Sequence, residues 1–237
     1  MLVRPKEDGN VGAVARIARN FGVDRLTIVA PRASLGQEAR RRSMGGLALL
    51  KDARVVATVG DAVAGSDFVV GSTDLSTGRS NAYLRRSVSP ERLGEMLAPV
   101  VGTVSLLLGP EDNGLSRGEL AGCDLLVHVP AARTFPTLNL SHAAGLILYG
   151  VHRGRQPADP ESTPAPEVLE LNGHEKELLL TRVEELARKT GYPAHKRKGL
   201  VLLFRRILGR SMPAEAEVRM LLGFLKGIDR KVTKSHG

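Results

Sequence analysis

Short apolar runs alternate with helix-like stretches over residues 1–154, and this alternation constrains the fold more than any other feature. The runs that predict strands are rich in Val, Leu and Ile and lie at residues 2–4, 26–29, 55–57, 68–70, 104–108 and 125–129. Strands that are apolar on both faces are typical of a parallel sheet covered by helices on both sides. The stretches between them predict helices at residues 11–21, 37–50, 90–97, 117–121 and 138–152. The sequence therefore predicts an α/β domain over residues 1–154.

The composition changes after residue 154. Residues 155–168 contain four prolines and few residues that could pack into a core, so they predict an extended linker that lets two domains move. Residues 169–237 predict a small all-helical domain. Asn172 and Glu175 have the spacing of a helix-capping box, and Gly191 would end that helix. A later helix carries an apolar stripe of Val218, Leu221, Leu222, Leu225 and Ile228.

The charge balance narrows the kind of partner. The formal net charge is +9 and the sequence pI is about 10.1. Such a surplus favours a polyanion such as nucleic acid, because each phosphate that is neutralised releases a counterion. Aromatic residues make up only 3% of the chain and tryptophan is absent. Stacking of bases on aromatic side chains is therefore not expected.

Several classes of site and location are disfavoured. Cys123 is the only cysteine, which excludes an intramolecular disulfide and a zinc site built on several thiolates. The six histidines are scattered along the chain, so no metal is expected. No stretch reaches about 18 apolar residues, and no apolar run follows a basic N-terminus. We expect a soluble, cytoplasmic protein with no membrane partner.

A glycine-rich segment follows the first predicted strand and opens a helix. It carries Asn10, Gly12 and Arg16, with Asn10 placed where it could cap the helix. Glycine lets a ligand or another backbone approach closely. Arg16 would lie off the buried face, toward the mouth of the sheet. Alone, this pattern is explained by an ordinary capped helix with a solvated arginine.

A second segment follows the strand predicted at residues 104–108. It contains Gly109, Glu111, Gly114, Leu115 and Ser116, and Ser116 predicts the cap of a new helix. Loops at the carboxyl ends of parallel strands are where α/β folds bind their ligands. A carboxylate between two glycines at such a place favours a functional role over a surface charge.

A third segment joins the last predicted strand to the last helix of the α/β domain. Pro130 follows the strand, and the helix opens with Thr137, Leu138, Asn139, Leu140 and Ser141. The small residues that come next predict that another backbone packs tightly against this helix; they are Ala143, Ala144 and Gly145. His142 is more typical of a core or interface histidine than of a catalytic base.

Together, these three segments resemble the signature motifs of the SPOUT methyltransferases. The patterns N-x-G-x-x-x-R, G-x-E-x-x-G-L-S and P-x(n)-S/T-L-N-L-S occur in that order, each where a strand gives way to a loop. The resemblance is closest to the TrmJ-like tRNA 2′-O-methyltransferases of archaeal type. It covers nearly the whole chain, including the linker and the helical tail. Thr137 stands where several relatives have serine, and it keeps the hydroxyl group.

The resemblance implies a fold that composition cannot show. It implies a SPOUT fold whose C-terminal part forms a deep trefoil knot, one of the rare knotted chains, followed by the small all-helical domain. It also implies a homodimer with active sites at the subunit interface. The implied cofactor is S-adenosyl-L-methionine, and the residues implied to bind it are Ser72, Thr73, Asp74, Gly109, Val129, Thr137, Leu138 and Asn139.

The implied reaction is 2′-O-methylation of a tRNA ribose, at nucleotide 32 of the anticodon loop. The resemblance places Arg16 beside the 2′-hydroxyl. An arginine is a poor base because its pKa exceeds about 12, so we expect Arg16 to hold a phosphate and stabilise developing negative charge. Asn10, Glu111 and Asn139 would orient Arg16 and the substrate. The residues expected to contact the RNA backbone are Arg16, Lys196, Arg197, Lys198, Arg205 and Arg206.

Two alternatives remain open. An enzyme of the same class could methylate another tRNA ribose or an rRNA ribose, although the rRNA enzymes often carry an RNA-binding domain before the SPOUT domain. The chain could instead be a catalytically inactive RNA-binding module. The presence of Asn10, Arg16, Glu111 and Asn139 argues against an inactive module, and calorimetry with the cofactor would distinguish the two.

Overall fold

A computed structural model describes residues 1–73, 87–132, 134–135, 137–155, 169–170, 173–213 and 215–235. The strands are β1 (Leu2–Val3), β2 (Thr27–Val29), β3 (Arg54–Val56), β4 (Phe68–Ser72), β5 (Ser87–Val88), β6 (Val100–Val101), β7 (Val104–Leu107), β8 (Leu125–Val127) and β9 (Leu169–Glu170). The helices are α1 (Asp8–Asn20), α2 (Gln37–Ser43), α3 (Leu47–Lys51), α4 (Val59–Val63), α5 (Pro90–Leu97), α6 (Arg117–Gly122), α7 (Leu140–Arg155), α8 (Gly173–Lys189), α9 (Ala194–Ser211) and α10 (Glu215–Ser235).

Seven of these strands form one continuous parallel arrangement. One sheet has the order β1-β2-β3 and another the order β5-β8-β4-β7, with every pairing parallel. A parallel bridge between Leu2 and Leu108 joins them, and the Val3 N–H donates to the Leu108 carbonyl at 2.9 Å. The order across the sheet is therefore β3-β2-β1-β7-β4-β8-β5, which confirms the predicted α/β class. Strands β6 and β9 form a separate parallel pair.

Burial follows strand position. Every residue of β2 and β8 is buried, as predicted for strands covered on both faces. Strand β3 departs from this expectation, since Val55 is 55% exposed. The reason is its place at the edge of the sheet, since β2 is the only strand that pairs with it among the residues that the structure describes.

Two predicted helix details are wrong. Helix α1 begins at Asp8 with Glu7 as its N-cap, so Asn10 lies in the first turn and does not cap it. The helix predicted over residues 37–50 breaks into α2, a 3-10 turn (Met44–Gly46) and α3. The break brings Gly46 onto α1: a Cβ there would lie 2.4 Å from the Ala15 carbonyl oxygen.

Helix α7 packs against α5 and α1 of its own chain. Its close contacts are made by glycines near its C-terminus, because a Cβ on Gly150 would lie 2.3 Å from the Pro90 Cβ in α5. Ala144 is fully buried in the core of the same chain, and a Cβ on Gly145 would meet only the Ile17 side chain, at 3.7 Å. The residues expected to require a partner helix are thus accommodated within one chain, and the predicted homodimer needs other support.

The C-terminal helices have a small core of their own. It consists of Leu179, Leu180, Val183, Leu208, Val218 and Leu222. The first of these helices begins at Gly173, and Asn172 of the predicted capping box lies outside the described residues. Gly191 adopts a φ of 73° just after α8 ends, as predicted for a helix terminator.

These helices also dock against the α/β domain, through the side chain of Asp124 at the start of β8. Asp124 is fully buried. Its Oδ2 accepts hydrogen bonds from Lys176 Nζ at 2.6 Å and from the Val69 N–H at 2.9 Å, and its Oδ1 accepts one from Arg205 Nη1 at 3.2 Å. The two parts are in direct contact here, at buried ion pairs that the proline-rich linker gave no reason to expect.

The same contact corrects two RNA-binding predictions. Arg206 is only 2% exposed and donates from Nη2 to the Leu120 carbonyl at 2.6 Å, so its guanidinium faces the α/β domain and not solvent. Arg205 forms ion pairs with Asp124 and Glu177, and its side chain is 17% exposed. Sequence alone cannot separate a cation that binds a partner from one that joins two parts of the same chain.

Candidate active site

A cavity of about 330 Å³ opens at the carboxyl ends of β4, β7 and β8. The loops that follow these three strands form its wall. Its lining includes the predicted cofactor residues Ser72, Thr73, Gly109, Val129, Thr137 and Leu138, and also Glu111. Asp74, the other residue predicted next to Thr73, lies outside the described residues. The parallel sheet therefore brings the second and third sequence motifs to one place.

The loop after β7 is folded tightly on itself. A Cβ on Gly109 would lie 2.3 Å from the backbone of Gly114 and Leu115, so only glycine fits there. Gly114 has a φ of 61°, in the region that favours glycine. Ser116 then caps α6, and the Ser116 and Glu119 side chains form a complete capping box, as the sequence predicts for Ser116.

Glu111 connects the first motif to the second. Its Oε1 accepts a hydrogen bond from Asn10 Nδ2 at 2.9 Å, and its Oε2 accepts one from the Lys6 N–H at 3.1 Å. The carboxylate thus lies at the N-terminus of α1, where the helix dipole favours negative charge. Asn10 does not line the cavity itself; it fixes the orientation of a carboxylate that does.

A bidentate ion pair strengthens this connection, and sequence reasoning missed it. The two terminal guanidinium nitrogens of Arg4, Nη1 and Nη2, donate to the Glu119 carboxylate. The Arg4 hydrogen bond lowers the pKa of Glu119 to about 2, against the opposing effect of partial burial. Lys6 pairs in the same region with Asp112, whose pKa it lowers. A signal was available, since two cations follow β1 and three acids follow β7 up to α6, and parallel strands end at the same edge.

Asn139 caps α7. Its Oδ1 accepts hydrogen bonds from the Ser141 N–H at 2.9 Å and from the Ser141 hydroxyl at 2.8 Å. The side chain is exposed beside the cavity-lining Thr137 and Leu138. The cap occupies the amide oxygen and leaves the Nδ2 group to donate to a ligand or substrate.

Arg16 stands apart from the cavity of its own chain. It is exposed on α1 and is not among the lining residues. Within the part of the chain that the structure describes, no hydrogen bond or ion pair engages its guanidinium. Gly12 of the same motif has a packing role, because a Cβ there would lie 2.1 Å from the Ala39 carbonyl oxygen in α2.

The remaining predicted RNA contacts lie at the start of α9. Lys196 and Lys198 are exposed, whereas Arg197 is half-buried and donates from Nε to the Tyr192 carbonyl at 2.9 Å. These cations are thus oriented differently from Arg205 and Arg206 on the same helix.

Other chemistries find no support among the described residues. Burial raises the pKa of the Cys123 thiol to about 12, so it stays protonated near neutral pH and is not a nucleophile. No group of three or more His, Cys, Asp or Glu residues there is arranged to hold a metal ion. None of the described helices is both long and apolar enough to cross a membrane.

Comparisons with known proteins agree with the three motifs. The SpoU rRNA Methylase family matches residues 1–149. The tRNA (cytidine-2′-O-)-methyltransferase TrmJ of Methanocaldococcus jannaschii is 31% identical over 95% of this chain and 97% of its own length. The crystal structure of TrmJ from Z. mobilis ZM4 is 30% identical, with a TM-score of 0.70 over 96% of this chain and 97% of that one.

A further solved structure is relevant to the cavity. The SpoU methyltransferase AviRb from Streptomyces viridochromogenes, in complex with the cofactor AdoMet, is 25% identical and has a TM-score of 0.51 over 65% of this chain and 58% of its own. The family match extends over more than half of the chain, and the relatives from M. jannaschii and Z. mobilis cover almost all of it. The chain therefore belongs to the SpoU methylase family and, within it, to the TrmJ group.

Proposed function

We propose that this protein transfers a methyl group from S-adenosyl-L-methionine to the 2′-hydroxyl of a tRNA ribose. The observation that carries the proposal is the convergence of the second and third motifs on one cavity, with the first motif joined to it through Asn10 and Glu111. The TrmJ relatives named as tRNA 2′-O-methyltransferases support the reaction and the substrate class.

The cavity suits a cofactor of this size. A volume of about 330 Å³ lies within the range of roughly 300–1,000 Å³ usual for small-molecule sites. Leu108, Val129 and Leu138 give it an apolar side that could hold a nucleobase, and the glycine-rich loop after β7 offers backbone polar groups. The AviRb complex with AdoMet supports the same cofactor for this chain. When bound, the cofactor supplies a methyl group that its sulfonium has already activated.

The protein's own residues then have to orient the attacking oxygen. A ribose hydroxyl is a weak acid, so transfer requires alignment and help with proton removal. Glu111 and the Asn139 amide would orient the ribose and its neighbours beside the cavity. Arg16 would hold a phosphate of the RNA and stabilise developing negative charge, with the proton passing to that phosphate or to solvent.

We further propose that the enzyme is a homodimer with composite active sites. Arg16 lies outside the cavity of its own chain, so a second chain would have to supply it. Exposed apolar side chains on α7, Leu146 (46%) and Tyr149 (51%), offer a surface for a partner beside α1, where Phe21 contacts the Tyr149 ring. We also propose that the C-terminal part of the α/β domain forms a trefoil knot. Lys196, Arg197 and Lys198 are proposed to bind RNA.

We propose nucleotide 32 of the anticodon loop as the target. The test is incubation of unmodified tRNA with methyl-labelled S-adenosyl-L-methionine, followed by mapping of the labelled nucleotide. A tRNA that already carries a 2′-O-methyl group at nucleotide 32 should accept no label. Label elsewhere in tRNA or in rRNA would favour the alternative target. Failure to bind the cofactor in calorimetry would favour an inactive RNA-binding module.

A further inference from the structure

Helix α2 carries three consecutive arginines beside the first motif. Arg40, Arg41 and Arg42 are all exposed, and the side chains of Arg41 and Arg42 are 71% and 56% exposed. One carboxylate, Glu38, pairs with both Arg41 and Arg42. The helix therefore keeps a surplus of two positive charges at its surface. A basic residue in the last turn stabilises a helix through the helix dipole, but that effect does not require three arginines.

The packing of α2 on α1 fixes where these charges lie. The Arg42 side chain runs over the glycines of the first motif: a Cβ on Gly12 would lie 3.0 Å from the Arg42 Cβ, and one on Gly9 would lie 3.1 Å from its Nε. Gly46, which follows α2, packs on the backbone of α1 at Ala15 and Arg16. The end of α2 thus crosses α1 between Gly12 and Arg16, which are separated by about 6 Å of helix rise.

The same contacts connect the arginines to the cavity. Gly9, beneath the Arg42 guanidinium, precedes Asn10, and Asn10 donates to the cavity-lining Glu111. Arg42 therefore lies over the N-terminal half of α1, close to the residue that bonds to the cavity-lining Glu111, and Arg40 and Arg41 precede it on α2. Arg16 extends this basic surface along α1 by one turn beyond Gly12.

We infer that Arg16, Arg40, Arg41 and Arg42 form an RNA-backbone site, which we call the α2 arginine surface. Its partner is the phosphodiester backbone of the folded RNA substrate next to the reacting nucleotide. Arginine guanidinium groups suit phosphate because they donate in a planar fork. The inference rests on the proposed function and adds to it a surface of the α/β domain that does not involve the C-terminal helices.

The experiment compares charge removal with charge retention. Arg40→Gln with Arg41→Gln removes two cations whose side chains point into solvent; Arg42 is spared because it packs over glycines. The control is Arg25→Gln with Lys51→Gln. It removes two exposed cations that lie shortly before β2 and β3, at the ends of these strands away from the cavity. A second variant, Arg40→Lys with Arg41→Lys, keeps the charge. Binding of unmodified tRNA is measured by filter retention at several salt concentrations, alongside calorimetry with S-adenosyl-L-methionine.

We expect the glutamine pair to weaken tRNA binding about tenfold and to reduce the slope of log affinity against log salt by about 1–2, since each phosphate contact contributes about 0.7–0.9 to that slope. The control pair should change tRNA affinity and the salt slope less than the glutamine pair does. The lysine pair should keep most of the salt slope. The affinity for S-adenosyl-L-methionine should be the same in all variants. In turnover, the Michaelis constant for tRNA should rise while the maximal rate is retained.

Other outcomes would overturn the inference in distinguishable ways. If the glutamine pair binds tRNA like the parent while the parent methylates it, the α2 arginine surface does not bind RNA and the proposed function stands. If the lysine pair loses as much of the salt slope as the glutamine pair, the loss does not follow the charge, and these two side chains do not contact phosphate. If the glutamine pair loses binding only to vesicles of anionic lipid, the surface faces a membrane. If the parent neither binds nor methylates tRNA, the proposed function itself fails.

Discussion

Replacing Asp124 should loosen the C-terminal helices without changing the chemistry at the cavity. Asp124 is fully buried and accepts from Lys176, Arg205 and the Val69 N–H. Asp124→Asn keeps the size of the side chain but removes the charge, and it turns an NH₂ group toward donors. Lys176, only 12% exposed, would then lie buried without its counter-ion.

The magnitude follows from that burial. Removing one partner of a buried ion pair costs about 3–5 kcal/mol, because the remaining charge is left uncompensated. Asparagine can still accept one hydrogen bond, so we expect the lower end, about 3 kcal/mol. For a chain of this size that loss lowers Tm by about 6–12 °C.

The measurements are urea denaturation followed by circular dichroism, and hydrogen exchange at the Val69 amide. The matched control is Glu95→Gln, which removes a 56% exposed carboxylate paired with Arg92 and should cost less than about 1 kcal/mol. Cofactor affinity should be unchanged below the transition, since Asp124 precedes β8 whereas the cavity lies beyond its other end. If Asp124→Asn is as stable as Glu95→Gln and the Val69 amide keeps its protection, Asp124 does not hold the two parts together.

Four further predictions concern the site and the tail. Arg16→Ala should abolish methyl transfer while calorimetry shows unchanged cofactor affinity; near-normal turnover with purified tRNA would contradict its assigned role. Leu146→Glu with Tyr149→Glu should convert a homodimer into a monomer in light scattering and reduce turnover at least tenfold, whereas a fully active monomeric parent would refute the composite site. Lys196→Gln with Lys198→Gln should weaken tRNA binding several-fold and lower the salt slope by about 1–2, and an unchanged slope would exclude phosphate contact there. Glu119→Gln should cost about 1–2 kcal/mol at pH 7 after allowance for its partial exposure. Arg4 lowers the pKa of Glu119 from 4.5 to about 2. The parent therefore keeps the stabilisation from this ion pair above pH 4.5 and loses it as the pH falls toward 2. Urea midpoints measured across that range should fall less steeply for Glu119→Gln than for the parent.

The parallel sheet and its motif positions could be predicted from the sequence because both depend on local signals. Continuous apolar runs indicate buried strands, and glycine with a carboxylate after a strand indicates a functional loop. The cavity accordingly includes Gly109, Glu111 and Thr137. Ser116 also caps α6 as predicted, since its hydroxyl needs only the backbone three residues later.

Long-range contacts could not be predicted in the same way. Asn10 has the residue type of an N-cap, but its amide bonds to Glu111, 101 residues away in sequence. Arg205 and Arg206 have the charge of an RNA-binding surface, but Asp124 and the Leu120 carbonyl take their hydrogen bonds. The sequence shows the chemical type of each group, and only the fold shows which partner it meets.

Both Arg16 and the cations of the C-terminal helices lie outside the cavity of their own chain. The helices dock at the start of β8, and β4 runs from that junction to the cavity over five residues, about 16 Å at the usual rise. The cations at the start of α9 therefore do not line the cavity of their own chain, and neither does Arg16. A tRNA held by these cations would therefore contact a surface that lies outside the cavity of the same chain. In the homodimer proposed above, the second chain would supply Arg16, so loss of the dimer should impair methyl transfer more than cofactor binding.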